Sequence, residues 1–427
     1  MQVAVIGAGI VGVTTAFELA ELGHEVTVLE RRGSVAAETS YANAGVIAPG
    51  YVTPWASPGM ASKLLWQLTR RDSPVRLQWP GTVRHLGWLW QWWRACRPEV
   101  WSRNRQAMQR LAHFSRDRLL ELTRTLGLEY DQMPGYVVLL RGPAELKGAQ
   151  GGLALLAQMG VPHEVIDADR CRHLEPGLNP NTPLQAAIHL PQDGVGNCRR
   201  FAHLLKTASQ QKGVHFRFDT AIDSAVPGHP AGAQGVGRPS LRFAGGAAAE
   251  PYDAIVICAG VQSNALLRDV GLKLPLVPVH GYSVTAPLRH VDGLPSPGPR
   301  AAVMDERFKV AISRLGQRIR IAGSAELGGR GDRIAPQAIR TLYRVLDDWF
   351  PGAAMTREAQ HWKGARPMLP DGPPVLGESG APGVWLNLGH GSSGWALACG
   401  SARVLAERIS GREAPLDLSG LTVDRLR

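Results

Sequence analysis

The chain has 427 residues, enough for two or three domains; 44% hydrophobic content with 49 Gly and 31 Pro suits a loop-rich α/β protein, and net charge is +11. No apolar run reaches 18 residues, which excludes a membrane-spanning helix. The cysteines (Cys96, Cys171, Cys198, Cys258 and Cys399) are scattered and never C-x-x-C, which argues against a disulfide framework and a zinc site.

The most informative segment comes first. Residues 3–30, VAVIGAGIVGVTTAFELAELGHEVTVLE, read as strand, glycine turn, helix, strand and acid. Gly7 permits a tight turn, Gly9 lets backbone approach a pyrophosphate, and Gly12 lets the helix pack close to the strand. The helix N-terminus offers unpaired N–H groups to phosphates. Glu30 follows Gly12 by 18 residues and can accept from ribose hydroxyls, while disfavouring a 2′-phosphate. A dinucleotide site is therefore expected. Because the fingerprint starts at the second residue, no signal peptide is expected, and a reducing cytosol is the expected compartment.

Residues 86–101, LGWLWQWWRACRPEVW, hold Trp88, Trp90, Trp92, Trp93 and Trp101. With Arg94, Arg97, Arg103, Arg105, Arg110, Arg116, Arg118 and Arg124 they form one predicted helical region. Such a mixture suits a helix lying in a membrane interface. It equally suits a lid or subunit contact with its arginines on a solvated face. No nucleic-acid recognition motif accompanies the charge.

Further along, LQAAIHL (184–190), KGVHFRFDTAIDSAV (212–226), VHGYSVTAP (279–287) and RFKVAISRLGQRIRIAG (307–323) alternate like half-buried strands. The last reads as a hairpin around Leu315-Gly316. Together they are expected to build a mixed sheet in a second domain, with residues 227–240 a surface loop. YDAIVICAG (252–260) and VWLNLGHGSSG (384–394) read as apolar strands, the latter entering a helix that stops before Gly411. The expected fold is α/β. A discontinuous Rossmann-like domain (1–50, 196–275 and 363–427) is joined by an α+β substrate domain (51–195 and 276–362).

Three polar, glycine-rich segments lie just past strands, where open α/β sheets bind ligands: ETSYANAGVIAPGY (38–51), WKGARPMLPDGPPVLGE (362–378) and GHGSSGW (389–395). With the fingerprint and VHGYSVT, they make the whole chain resemble the FAD-dependent D-amino-acid dehydrogenases of small-subunit type, within the glycine oxidase and D-amino-acid oxidase family. The resemblance implies non-covalent FAD held by Val5, Ile6, Gly7, Ala8, Gly9, Ile10, Val11 and Gly12, with Glu30 and Arg31. Thr39, Ser40, Asn43, Ala44 and Gly45 would lie along pyrophosphate and flavin, Ile222 would meet the adenine, and Gly260 would close over the nucleotide. The turn His390, Gly391, Ser392, Ser393, Gly394 and Trp395 would face flavin N1, where a helix N-terminus stabilises negative charge.

Arg366 matches the family's carboxylate-binding arginine, a task that suits a planar guanidinium fork. It is also expected to border the flavin. Tyr282 is either a second hydrogen-bond donor to that carboxylate or a core tyrosine. Tyr51 and His390 are weaker candidates to line the pocket, and His280 and His361 are expected to serve structure. The implied reaction is hydride transfer from the α-carbon of a D-amino acid, giving a 2-oxo acid and ammonia. Electrons would pass to quinone or another acceptor, with the protein possible at the cytoplasmic face of the inner membrane. An oxidase using O₂, a D-proline or hydroxyproline dehydrogenase and a non-catalytic flavin subunit stay open on the residues. Oligomeric state is not legible.

Overall fold

A computed structural model describes residues 1–62, 64, 73–79, 81–232, 235–246, 248–290, 296–329 and 333–426. Two sheets organise them. The first has six strands in the order Val375–Glu378, Val384–Leu388, Ala254–Ile257, Gln2–Ile6, Glu25–Leu29 and His215–Arg217. All neighbours are parallel except Val375–Glu378 on Val384–Leu388. Strands from both ends of the chain thus share one sheet, as the apolar runs imply.

Alternate residues of this sheet face two cores, which is why its central strands read as continuous apolar runs. Val3, Val5, Val26 and Val28 pack under the first helix, Ile10–Glu21, with helices Cys198–Gln211 and Gly394–Ile409. Ala4, Ile6 and Leu29 face a core with Leu266, Leu274 and a small antiparallel sheet of Ile222–Val226, Ser240–Phe243 and Glu250–Pro251.

The second sheet has ten strands and is mixed. Its main path runs Gln360–Met368, Val277–Pro287, Arg318–Leu327, Val310–Leu315, Ala302–Asp305, Met133–Leu140, Ala186–Val195 and Val46–Ile47. Val75–Leu77 and Glu164–Ile166 pair alongside. The expected hairpin is present, Leu315 pairing with Arg318 across its turn. One face packs on helix Pro336–Trp349 through Tyr282, Val284, Ala286, Ile319 and Ile321. The other face covers the 39–45 segment. Serines carry that contact: Ser283 Oγ donates to Ala42 O at 2.8 Å and Ser313 Oγ to Ala44 O at 2.7 Å.

Three expectations are corrected. Residues 212–226 do not join the second sheet: His215–Arg217 edges the first, beside Glu25–Leu29, and Ile222–Val226 joins the three-stranded sheet. Alternation reports one buried face without saying which sheet buries it. Residues 227–240 are not a plain loop, since His229–Gly232 pairs with Gly235–Gly237; residues 233–234 lie outside the described residues. The Trp/Arg region is two helices, Leu86–Ala95 and Pro98–Leu126, because Pro98 lacks an N–H to continue the first and suits the first turn of the second.

The long helix Pro98–Leu126 lies on the helices of the first sheet. Arg118 grips Glu18, a fully buried carboxylate of the first helix, through Nε at 2.7 Å and Nη2 at 2.9 Å, and Arg403 of the last helix reaches the same carboxylate at 3.3 Å. The second sheet also takes in strands at the edges of the expected cofactor segments. Val46–Ile47 pairs into the second sheet ahead of the expected boundary at 50, and Gln360–Met368 straddles 363.

Candidate functional site

Strand Gln2–Ile6 ends in Gly7, whose φ of 102° turns the chain into the first helix. A Cβ on Gly7 would lie 2.8 Å from Cys258 O, and one on Gly12 only 1.8 Å from Gly7 O. Both glycines are therefore dictated by packing. Gly9 is different: a Cβ there meets only Ser40 Oγ at 3.6 Å, so its bare backbone serves the cleft in front of it.

That cleft is lined by Ile6, Gly7, Gly9, Ile10, Val11, Glu30 and Arg31, then by Thr39 and Ser40. Ile222 and Gly260 border it as well, as do Gly389, His390, Gly391 and Gly394. Two helices begin at it, Ile10–Glu21 and Gly394–Ile409. Neither is capped by the side chain of its own N-cap residue or has an acidic residue in its first turn. Two positive helix ends on one cleft favour an anion between them. Glu30 accepts from Ala8 N at 2.7 Å and Arg32 N at 2.8 Å, which fixes its carboxylate at the end of the second strand. A bare-backbone approach, two positive helix ends and a fixed carboxylate fit a dinucleotide.

The 39–45 segment is held from both sides. Ser40 Oγ accepts from Ile10 N at 3.1 Å, and Thr39 Oγ1 donates to Ala365 O at 2.7 Å. Asn43 Oδ1 accepts from Gly45 N at 3.1 Å, and Gly45, at φ 75°, turns the chain so that its carbonyl accepts from Gly196 N at 2.8 Å. The loop is thereby fixed between the cleft and the second sheet.

Arg366 lies on the sheet face that covers this loop. Its Nη1 donates to Ser324 O at 2.8 Å, and its guanidinium spreads over Gly281, where a Cβ would come within 2.3 Å of Nη2. Burial pushes its pKa down to about 10, and no carboxylate among the described residues pairs with it. Trp362 shares the face, its ring lying over Gly364.

Tyr282 does not join Arg366. Alternation along Val277–Pro287 sends Gly281, Ser283 and Thr285 toward the loop and Tyr282 to the opposite face, 2% exposed, in the core with Leu342 and Val345. Its role as a donor to a carboxylate at Arg366 is thereby corrected in favour of the core tyrosine. Tyr51 lines a different cavity, donating to Glu306 Oε2 at 2.8 Å and accepting from Lys309 at 3.2 Å. His390 borders the cleft, but its Nε2 is engaged with Ser401 Oγ at 3.0 Å, and burial pushes its pKa down to about 3, so the ring is neutral. Gly391–Ser393 forms the turn before the last helix, and Ser392 and Ser393 do not line the cleft. Trp395 turns into the core, its Nε1 donating to Gly196 O at 3.2 Å against Phe201. Of that turn, His390, Gly391 and Gly394 border the cleft.

Several residues at the site escape the sequence reading. Arg320 is 6% exposed and donates to Asn43 O and Thr285 Oγ1, both at 2.9 Å, with burial pushing its pKa down to about 10. Between alternating arginines of a hairpin, nothing marks it as the inward one. Glu38 lines the cleft and gathers Arg31 and Arg32. Ser324 sits at φ 62° inside a strand, a conformation no side-chain type announces.

The pattern describing the family "FAD dependent oxidoreductase" matches residues 2–408. Proteins called D-amino acid dehydrogenase from Bradyrhizobium diazoefficiens and Cereibacter sphaeroides are 40% and 39% identical. Each match covers 100% of this chain, with 99% and 95% of those proteins. Among solved structures, glycine oxidase from Geobacillus kaustophilus superposes with a TM-score of 0.76 at 20% identity, covering 99% of this chain and 98% of that one. L-proline dehydrogenase from P. horikoshii gives 0.71 at 17%, covering 98% and 95%. At such identities these structures speak to the fold alone.

Proposed function

The chain belongs to the family of FAD-dependent oxidoreductases, and from that premise we propose that it oxidises D-amino acids to 2-oxo acids and ammonia. The observation that carries the reading is Arg366: a desolvated guanidinium without a carboxylate partner among the described residues, on the sheet face that covers the cleft's loop. Relatives called D-amino acid dehydrogenase, near 40% identical over the whole chain, supply the D-amino acid.

In this reading Gly7, Gly9, Gly12 and Glu30 hold the nucleotide half of FAD, and segment 39–45 with the turn 389–394 borders the ring. FAD, when bound, supplies the two-electron acceptor for the α-hydrogen's hydride. Arg366 binds and orients the carboxylate, its Nη1 anchored on Ser324 so that the fork is pre-organised. Trp362, on the same face, helps exclude water. Among the described residues no side chain is poised as a base. His390 is bonded to Ser401 and burial pushes its pKa down to about 3, which makes its neutral ring a weak base, and burial raises the Cys258 thiol to about 12. The substrate therefore reacts as its neutral amine, whose nitrogen lone pair drives hydride loss, and water hydrolyses the resulting imino acid. The proposed division is a cofactor domain around the six-stranded sheet and a substrate domain around the ten-stranded one.

The electron acceptor is proposed to be a membrane quinone, reached by peripheral binding at the cytoplasmic face. A surface feature supports this. Trp79, Leu86, Trp90 and Trp93 are each at least half exposed, with Trp90 stacked on Trp93 at 5.0 Å and Arg84, Arg94 and Arg97 exposed nearby in sequence. Trp88 and Trp92 turn inward instead, Trp88 Nε1 donating to Met368 O at 3.2 Å. The arginine cluster is thinner than its sequence suggests: Arg105, Arg110, Arg116 and Arg118 are buried or engaged within the chain. Among the described residues no helix is long and apolar enough to cross a membrane.

The test is spectroscopic. Purified protein is expected to be yellow, to bleach anaerobically with D-alanine but not L-alanine, and to release its flavin on acid precipitation. Absence of bleaching across a panel of D-amino acids would overturn the reading. Dye or quinone reduction measured against O₂ consumption separates dehydrogenase from oxidase.

A further inference from the structure

A cavity of about 650 Å³ opens between the segment after Gly50, helix Pro143–Gln158 and the strands Met133–Leu140 and Ala186–Val195. Much of its wall is apolar, including Val138, Leu153, Ile188 and Leu190. Among the described residues five charged side chains line it, and four are paired. Arg307 donates to Glu145 at 2.6 Å, and Lys309 is bonded to Glu306. The fifth is Arg105.

Arg105 is 6% exposed, and its buried Nε has no hydrogen-bond partner among the described residues. Its guanidinium has Trp101 at 5.3 Å, a cation–π contact without an acceptor, and burial pushes its pKa down to about 10. The described lining thus carries one net positive charge, held on a desolvated fork. An unpaired buried cation is costly to a fold and is normally answered by an anion. The facing helix keeps Gly148, Gly151 and Gly152 against helix propensity, and a Cβ on Gly152 would lie 3.1 Å from Arg105 Nη1.

We infer that this cavity is a second carboxylate site, distinct from Arg366, in which Arg105 pairs with the carboxylate of a ligand whose apolar body lies on Val138, Ile188 and Leu190. The guanidinium fork matches a carboxylate bidentately, and the apolar wall selects against small hydrophilic anions. The carboxylate has two possible sources with the same chemistry: the side chain of an acidic substrate held at Arg366, or a separate apolar acid.

The probe is 3-phenylpropionate, titrated calorimetrically into the flavin-bound protein. An Arg366→Met variant is expected to keep one binding site per chain, and adding Arg105→Met to weaken that site at least tenfold. Binding in Arg366→Met that Arg105→Met leaves unchanged, or no binding at all in Arg366→Met, overturns the inference. Folding is controlled by Arg105→Met alone, expected to keep or raise Tm because it removes an unpaired buried charge. A Tm several degrees lower would mean that the fold itself pairs Arg105, and would equally overturn it. Gly152→Val, which crowds the guanidinium, is expected to weaken the probe as well.

Kinetics then identifies the source. A tenfold rise in KM for D-glutamate but not D-alanine in Arg105→Met assigns the site to substrate side chains. Unchanged KM values with 3-phenylpropionate non-competitive against D-alanine assign it to a separate acid. The calorimetric arm needs no turnover, so failure of the D-amino acid reading leaves it standing.

Discussion

Arg366 is anchored to Ser324 by a 2.8 Å bond from its Nη1 to the Ser324 carbonyl, and Ser324 holds a φ of 62° in the middle of a strand. The two facts are connected through register. Tyr282 pairs with Gly323 and His280 with Glu326, so strand Arg318–Leu327 spends one residue more than its neighbour there. The extra residue is a β-bulge, which re-aims a carbonyl that would otherwise join the ladder. The bulge thereby gives the guanidinium a fixed hydrogen-bond acceptor without neutralising its charge, which stays free for an anion.

Ser324→Gly is expected to leave KM unchanged and stability equal or slightly higher, because glycine adopts this φ freely. Ser324→Val, whose branched side chain resists it, is expected to cost about 1–3 kcal/mol in stability and to raise KM more than it lowers kcat. Steady-state kinetics beside thermal melts checks both. Equal KM values in the two variants would detach the bulge from substrate binding.

Replacement of Arg366 by Ala is expected to reduce kcat/KM by about 2–5 kcal/mol, the range for stripping a buried charge of its partner. Arg366→Lys should recover part of that, since an ammonium cannot form the planar fork. The measurement is kcat/KM for D-alanine at fixed pH. Unchanged kinetics in Arg366→Ala would remove the residue from the site.

Asp193 gives a pH signature. It is 4% exposed, accepts from Gly50 N at 3.1 Å, and burial pushes its pKa from 3.8 up to about 7. A folded pKa above the unfolded value means that its stabilisation is full below about pH 4 and is lost as pH rises through 7. Asp193→Asn keeps an acceptor for Gly50 without the charge. Its stability advantage over the parent chain is expected to grow from pH 4 to 7 and then level, reaching about 1–4 kcal/mol. Melts across that range test it, and an advantage constant with pH would contradict the assignment.

The tryptophan surface separates in the same way. Trp90→Ser with Trp93→Ser is expected to cut co-sedimentation with anionic vesicles several-fold at unchanged Tm, both side chains being at least half exposed. Trp92→Ser, at a site only 5% exposed, should instead cost about 3–5 kcal/mol of stability. Sedimentation of the parent chain should weaken with salt, since surface charge reaches only about 8 Å at physiological ionic strength. Vesicle binding that ignores the double substitution would sink the membrane contact at this surface.

The sequence by itself determined the cofactor end of this protein. The jobs of Gly7, Gly9, Gly12 and Glu30 follow from local geometry: a turn, a close approach and a strand end lie within 30 residues of one another, so spacing alone encodes them. It also marked many of the strands, because burial of one or both faces writes a period into composition, though Met133–Leu140, Ala302–Asp305 and Gln360–Met368 went unmarked. What it left open was which sheet claims each strand and which way each side chain turns at a distance. His215–Arg217 and Ile222–Val226 alternate as well as any strand of the second sheet, yet neither belongs to it. Tyr282 and Arg366 look like neighbours in a site until strand parity sends them to opposite faces. Arg105 reads as one more cation in a basic helix until the long helix docks and takes it out of water. Those outcomes depend on contacts between residues tens to hundreds of positions apart, and only the packed chain decides them.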